Sequence, residues 1–168
     1  DDVTIENLRG NILIQNGILK LSNGTLGIIG ATAKMDAMYK NEGTQKAYFD
    51  YRINASEFDI KRAYNEIKMF REIVTAAESA EGIVGLNYSI KGVLNNQMES
   101  IMPSLEGSGI LSVKKVKMKG FKLLNVVSSK TENPDIKDPD ISKVDIKTTI
   151  KNNIVTIERF KFKVAGFR

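Results

Sequence analysis

Alternating apolar and polar positions dominate the first third of the chain. From Val3 to Ser56 the residues Val, Ile, Leu, Tyr and Phe alternate with polar residues, which is the period of a β-strand. Asn16-Gly17 and Asn23-Gly24 are signals for tight hairpin turns, because Asn followed by Gly tolerates positive φ angles. This pattern predicts an antiparallel meander whose strands lie at Asn11–Gln15, Ile18–Ser22, Thr25–Tyr39 and Thr44–Ala55.

The hydrophobic period lengthens after Ser56. Apolar residues between Ile60 and Ala77 recur every three or four positions, and Lys, Arg and Glu fill the positions between them. This is the period of a helix with one apolar face. The pattern predicts one long amphipathic helix at about residues 57–80.

Strand-like alternation returns beyond the helical stretch. Four further strands are predicted at Ile83–Leu94, Gly109–Lys119, Ser142–Ile150 and Ile154–Gly166. A helical period at about residues 121–128 predicts a short second helix. Residues 130–142 contain two prolines and few apolar residues, which predicts a flexible loop. The expected fold class is α+β: a single domain over residues 1–168, built on a largely antiparallel, curved β-sheet that forms a meander or groove.

The composition removes several kinds of chemistry. The chain of 168 residues contains no Cys and no His, which excludes thiolate nucleophiles, disulfides, imidazole bases and the usual ligands of zinc. The stretch Glu106–Gly109 lacks the Gly-Lys-Ser/Thr that follows in a phosphate-binding loop, so it is interpreted as a turn or bulge. We therefore expect no enzymatic activity, no cofactor and no metal site.

The net charge of +5 permits attraction to the phosphates of nucleic acid, phospholipid or lipopolysaccharide, but it does not choose among them. Nucleic acid is not expected, because the basic stretches lack interleaved aromatic residues and a recognition helix. The basic stretches are instead interpreted either as a basic rim that meets anionic headgroups or as a solvated strand face. The basic rim candidates are Lys115, Lys117, Lys119, Arg159, Lys161 and Lys163.

The apolar stripes of the predicted sheet are wider than their predicted cover. Seven or more strands at about 4.8 Å spacing make a sheet more than about 30 Å wide, whereas one helix is about 10 Å across. The simplest role of these stripes is a core under the helix. Any remaining apolar surface must be closed by sheet curvature, by the short helix, by the rest of a longer chain or by a ligand.

Four stretches of the sequence resemble the carboxy-terminal part of the AsmA-like family. They are NILIQNGILKLSNGTLGIIG, FDYRINASEFDIKRAY, GIVGLNYSIKGVLNNQMESIMPSLEGSGILSVKKVKMKGFKLLN and KTTIKNNIVTIERFKFKVAGF, and together they span most of the chain. The resemblance implies a large protein of the Gram-negative envelope, related to the bridge-like lipid transfer proteins. It would be anchored in the inner membrane, extend through the periplasm and move phospholipid in a β-groove that supports outer-membrane homeostasis. No catalytic residues come with the family.

The chain starts without an initiator Met or a signal peptide and has no apolar run of about 20 residues. We therefore expect a segment of a longer protein. The resemblance to the AsmA-like family implies that this protein is periplasmic and that its membrane anchor lies outside these residues. The apolar groove would hold acyl chains of phospholipid or another envelope lipid. The lipid-contact candidates are Ile29, Met35, Phe49, Tyr51, Leu86, Tyr88, Phe160 and Phe162.

An alternative to lipid handling is a function of a different class, that of a structural or protein-interaction module of the periplasm. In that case the helix fills the groove, no lipid is bound and an exposed strand edge binds an envelope protein. The sequence leaves open whether the apolar face is an open groove or a closed core.

Overall fold

The computed structural model describes residues 3–43, 46–119, 129 and 140–159. Within these residues, eight strands form one open, curved, antiparallel sheet in which every strand pairs with its neighbours in sequence. The strands are β1 (Ile5–Gln15), β2 (Ile18–Ile28), β3 (Ala31–Asn41), β4 (Ala47–Asp59), β5 (Ala80–Leu94), β6 (Glu106–Met118), β7 (Asp140–Lys151) and β8 (Ile154–Ile157). The predicted antiparallel meander is confirmed.

Two short helices and a 3₁₀ turn connect β4 to β5. They are α1 (Ile60–Glu66), α2 (Lys68–Ile73) and the turn Thr75–Ser79, while a second 3₁₀ turn, Met102–Ser104, precedes β6. The prediction of one long helix at about 57–80 is wrong, since β4 continues to Asp59 and α1 starts only at the next residue.

The helical segment breaks at Ile67, whose φ of −110° and ψ of 104° are extended. The guanidinium of Arg71 donates hydrogen bonds to the carbonyl oxygens of Tyr64 and Asn65, at 3.3 and 3.1 Å, close to this break. These bonds satisfy backbone acceptors near the end of α1, where carbonyls lack helical partners. At its start, α1 is capped by the Asp59 carboxylate, which accepts from the Arg62 backbone N–H at 2.9 Å.

The predicted strand Thr25–Tyr39 is also wrong, because a turn at Ile29-Gly30 divides it into β2 and β3. Both residues have positive φ, 49° and 75°. A β-branched residue rarely adopts this conformation, so the sequence carries no usual turn signal here. This left-handed backbone conformation costs about 1–3 kcal/mol. Burial of the apolar Ile29 side chain, which is only 8% exposed, offsets that cost.

Asn23-Gly24 forms a bulge inside β2, and the predicted hairpin turn is not there. The register shifts between Leu21 and Gly24, so β2 carries extra residues opposite β3. The Asn23 backbone N–H, at a φ of 53°, donates to the Asp36 carboxylate at 2.9 Å. The other Asn-Gly pair, Asn16-Gly17, is the β1–β2 turn as predicted.

Two further boundaries differ from the sequence prediction. The stretch Glu106–Gly109 is neither a turn nor a bulge but the start of β6. The predicted loop 130–142 is too long, because β7 begins at Asp140. Residues 130–139, the predicted short helix at 121–128 and the predicted strand beyond Arg159 lie outside the described residues.

Among the described residues, the core consists of two clusters on one face of the sheet. The first joins the start of the helical segment to the strand ends near it, with Ala63, Phe58, Ala33 and Val84 fully or nearly buried. The second surrounds Phe49, which packs with Leu105, Leu94 and Ile90. From α2, Phe70 packs on the first cluster and Met69 and Ile73 on the second, so the break at Ile67 lets one short segment serve both.

Candidate functional site

One face of the sheet, here called the helix-bearing face, is apolar from edge to edge. The register links one residue of each strand into a row across all eight strands. In order from β1 to β8 this row is Ile12, Leu21, Ala37, Tyr51, Ile90, Gly107, Ile150 and Val155. No member of the row carries a charge, so this face offers a continuous apolar surface.

The opposite face is polar and charged. The neighbouring row, which points the other way because side chains alternate along a strand, starts at Leu13. It then runs through Lys20, Met38, Asp50, Lys91 and Glu106. Lys91 and Glu106 form an ion pair at 3.1 Å. The two faces therefore suit different partners, and only the helix-bearing face suits hydrocarbon.

The helical layer covers the middle of the helix-bearing face and leaves its margins open. Seven strand spacings of about 4.8 Å give a width of about 34 Å, and a helix covers about 10 Å of it. Helix α1 packs on β4 and β5. At the first margin Ile12, Ile14 and Leu19 are 60%, 73% and 38% exposed; we call these three residues the apolar flank. Val155 and Ile157 of β8 form a second exposed margin.

Two of the lipid-contact candidates lie in the closed core. Phe49 is 1% exposed, and its cluster includes Met69 and Ile73 of α2. Its ring also fills the space beside Gly92, where an added Cβ would stand 3.1 Å from the ring. Ile29 is buried in the β2–β3 turn. A lipid could reach either side chain only if the layer above it moved.

The other four described candidates are partly buried on the same face. Met35 and Leu86 pack against the first cluster, and Tyr51 and Tyr88 against the second. Burial raises the pKa of the Tyr51 phenol, and the nearby Tyr39 adds to the shift. The last two candidates, Phe160 and Phe162, lie outside the described residues.

Tyr88 lies across β6 and reaches β7. Its hydroxyl is 3.0 Å from Oγ1 of Thr148, and its ring occupies the space above Gly107 and Gly109. A side chain at Gly109 would overlap both the backbone carbonyl oxygen of Asn87 and this ring, which explains why glycine stands inside a strand. Burial raises the Tyr88 pKa, and the hydrogen bond with Thr148 partly opposes that shift.

The segment between β5 and β6 closes one end of the helix-bearing face. Leu105 is fully buried in the second cluster, and Lys68 of α2 is paired with Glu99 of this segment at 2.7 Å. Met98, 58% exposed, approaches the Tyr39 hydroxyl with its sulfur at 3.8 Å. We call this segment, residues 95–105, the roof. It ends near the apolar flank, since Tyr39 pairs with Leu19 across the β2–β3 ladder.

Three of the basic rim candidates lie at or just after the end of β6, and the fourth described candidate lies just after β8. Lys115 and Lys117 alternate with Val116 and Met118 of the first cluster, so they lie on the opposite face. Lys119 pairs with Glu81 at 2.7 Å, and Arg159 is exposed just after β8. Lys161 and Lys163 lie outside the described residues. The four described residues do not line the apolar flank.

The apolar flank was missed by the sequence analysis, although a signal for it existed. Once Asn16-Gly17 is accepted as a two-residue turn, pairing Gln15 with Ile18 places Ile14 beside Leu19. Both then share a face with Tyr39 and Phe49 through the next two ladders. Only the extent of the helical cover, which the sequence did not show, determines that they remain exposed.

In the described ranges, no helix has the length and apolar character needed to span a membrane. No group of three or more acidic side chains within the same residues could hold a metal ion. Comparison with protein-family models, with curated proteins and with solved structures found no match to this chain.

Proposed function

We propose that this chain is a non-enzymatic segment of a bacterial envelope protein that handles phospholipid, with acyl chains lying on the helix-bearing face. The observation that carries the proposal is the apolar row across all eight strands, whose margin at the apolar flank is open to solvent. The resemblance of the sequence to the AsmA-like family supports the envelope setting: a periplasmic location and a membrane anchor outside these residues.

The apolar flank suits transient contact with an acyl chain. Burying a methylene group is worth about 0.8 kcal/mol. Contact with about five methylene groups therefore gives about 4 kcal/mol, which corresponds to a dissociation constant of about 1 mM. Such a weak site lets lipid exchange, as a conduit requires, and a longer groove made with neighbouring segments would add further contacts.

The headgroup would stay in water or meet basic side chains at the margin. The nearest cations of β1 and β2, Arg9 and Lys20, are exposed and lie on the opposite face, as their pairing with Thr25 and Leu13 shows. The apolar flank itself carries no charge. Recognition would therefore depend on the acyl chains more than on the headgroup.

The proposal is tested by native mass spectrometry and lipid extraction of the purified chain, or of a longer periplasmic form that contains it. The informative variant is Ile14→Asp, which places a charge on the apolar flank. Its matched control is Leu13→Asp on the neighbouring residue, 56% exposed but on the opposite face. Both variants alter β1 equally, so any difference between them reports on the helix-bearing face.

Phospholipid that co-purifies with the native chain and with Leu13→Asp, but is lost from Ile14→Asp, would support the proposal. Equal lipid content in all three proteins, or none in the native longer form, would contradict it. Phe49→Asp is unsuitable as a probe, because a charge on a side chain that is 1% exposed would unfold the protein.

The second candidate function is a protein-interaction module of the periplasm. The observation that favours it is β1, an edge strand in which all eleven residues are exposed. Such an edge can accept a strand from a partner protein. A lipid-free longer form that captures an envelope protein, and loses it when Pro replaces Ile14, would favour this function.

A further inference from the structure

Strand β1 lies at one edge of the sheet that the described residues form, and only part of it has the usual protection of an edge strand. No strand within the described part of the chain pairs with its outer side, and all its residues are exposed. Edge strands are commonly guarded by charges, prolines or bulges that prevent pairing with other chains. These devices are unevenly distributed along β1.

The first half of β1 is guarded and the second half is not. Register shifts lie between Glu6 and Arg9 and between Arg9 and Asn11. Glu6 and Arg9 are also the only charged residues in β1. From Asn11 to Gln15 the pairing with β2 is regular, and the five residues carry no charge. A regular edge of five uncharged residues remains open.

The turn determines which backbone groups of this edge point outward. Asn16 and Gly17 have φ angles of 51° and 74°, as in a type I′ hairpin, so Gln15 and Ile18 form the hydrogen-bonded pair that closes the turn. Hydrogen-bonded positions alternate along an antiparallel ladder. Leu13 therefore directs its N–H and C=O toward β2, whereas those of Ile12 and Ile14 point outward.

We propose that β1 pairs with β1 of a second copy of this chain, antiparallel, about a two-fold axis at Leu13. In this register Ile12 of each copy lies opposite Ile14 of the other. The outward backbone groups of these two residues then form four N–H···O=C hydrogen bonds. Leu13 meets its counterpart as the non-hydrogen-bonded pair, the closer of the two kinds.

Charge and side-chain chemistry favour a second copy as the occupant of this edge. In this register Asn11 lies opposite Gln15 of the other copy, so every pair of the ladder from Asn11 to Gln15 is uncharged and no like charges meet. Ile12, Leu13 and Ile14 are 60%, 56% and 73% exposed, so both faces of the new ladder bury apolar surface. Three of the five uncharged residues therefore have a large apolar area to lose from water.

The dimer is expected to be weak. Three apolar side chains from each copy bury far less surface area than a small stable interface, which buries about 1,200 Å². We expect a dissociation constant of about 10 µM to about 1 mM. Pairing would also place the apolar flanks of two copies side by side on one face, but the inference stands independently of lipid binding.

Cysteine cross-linking tests the register directly, because the native chain has no Cys. Leu13→Cys should form a disulfide-linked dimer under mild oxidation, since residues in a non-hydrogen-bonded pair have Cα atoms about 4.5 Å apart. Ile12→Cys alone and Ile14→Cys alone should cross-link at least about tenfold more slowly. An equimolar mixture of these two variants should give the mixed dimer.

Sedimentation of the cysteine-free chain between about 10 µM and about 1 mM provides the second measurement. Ile14→Lys should weaken association at least about tenfold, by bringing a like charge and a desolvated ammonium to the interface. The control is Ile154→Lys on β8, 64% exposed and at the other margin of the sheet, which should leave it unchanged. Circular dichroism would verify that both variants are folded.

A native chain that remains monomeric throughout this range would overturn the proposal and leave β1 to another protein or to lipid. A dimer that Ile14→Lys does not weaken would equally overturn it, as would cross-linking of Ile12→Cys alone as fast as Leu13→Cys. A weak dimer with the Leu13-centred cross-linking pattern would establish it.

Discussion

Truncation of Phe49 distinguishes a closed core from an open groove. The Phe49 side chain is 1% exposed, its ring centroid is 4.8 Å from that of Tyr51, and it packs against Leu105 and beside Gly92. Phe→Ala substitutions in packed cores cost about 3–5 kcal/mol. A domain of this size has about 5–15 kcal/mol of stability in total, so Phe49→Ala should remove a large share of it.

The matched comparison is Ile14→Ala on the apolar flank. Full burial of such a side chain is worth about 1.5–3 kcal/mol. Ile14 is 73% exposed, so only about a quarter of that value is at stake, less than about 1 kcal/mol. The two truncations should therefore differ in cost by at least about 2 kcal/mol.

Urea unfolding followed by far-UV circular dichroism measures both costs. For a chain of this length the Phe49→Ala cost corresponds to a fall in Tm of about 6–20 °C, with an unchanged slope of free energy against urea. A cost below about 1 kcal/mol for Phe49→Ala, together with reduced lipid content, would refute the closed core. It would show that the Phe49 ring lines an open groove instead.

Three further predictions concern individual contacts. Tyr88→Phe removes the hydrogen bond to Thr148 and should lower the free energy of unfolding by about 0.5–1.5 kcal/mol in urea titrations. Gly109→Ala should cost about 1–3 kcal/mol and lower Tm, because the new methyl group overlaps the backbone carbonyl oxygen of Asn87 and the Tyr88 ring. Combining it with Tyr88→Ala should relieve only the part of that cost that comes from the ring. The hydrogen bond from Lys68 and its charge hold the pKa of Glu99 below the ordinary value. The stability that this pair contributes is present above the unfolded-state carboxyl pKa and is lost as the pH falls through the lowered folded-state pKa. Glu99→Gln should therefore reduce the loss of Tm at acid pH. An unchanged dependence of Tm on pH would contradict this reasoning.

The strand pattern was predictable because a period of two is a local property. Alternation over Phe49, Tyr51 and Ile53 places all three on one face whatever the rest of the chain does. The turn Asn16-Gly17 could be predicted for the same reason, since it depends on the positive φ that its own residues tolerate. Neighbouring strands joined by short turns then leave the meander as the simplest topology.

The helix break and the Ile29-Gly30 turn could not be predicted from the sequence. The apolar spacing from Ile60 to Ala77 fits a continuous helix locally. However, α2 must contribute to two clusters on a curved sheet, which one straight apolar stripe does not do. Ile29 is a poor turn residue in isolation and is held in the left-handed region because its side chain is buried by residues distant in sequence.

The sequence by itself determined which side chains share the apolar face, and only the tertiary structure decided which of them are covered. Phe49 and Ile14 are both apolar residues in alternating strands, yet one is 1% exposed and the other 73%. The difference arises because the short helices and the roof reach the middle strands and leave the margin at β1 open. Coverage is a matter of non-local contacts, which no local period encodes.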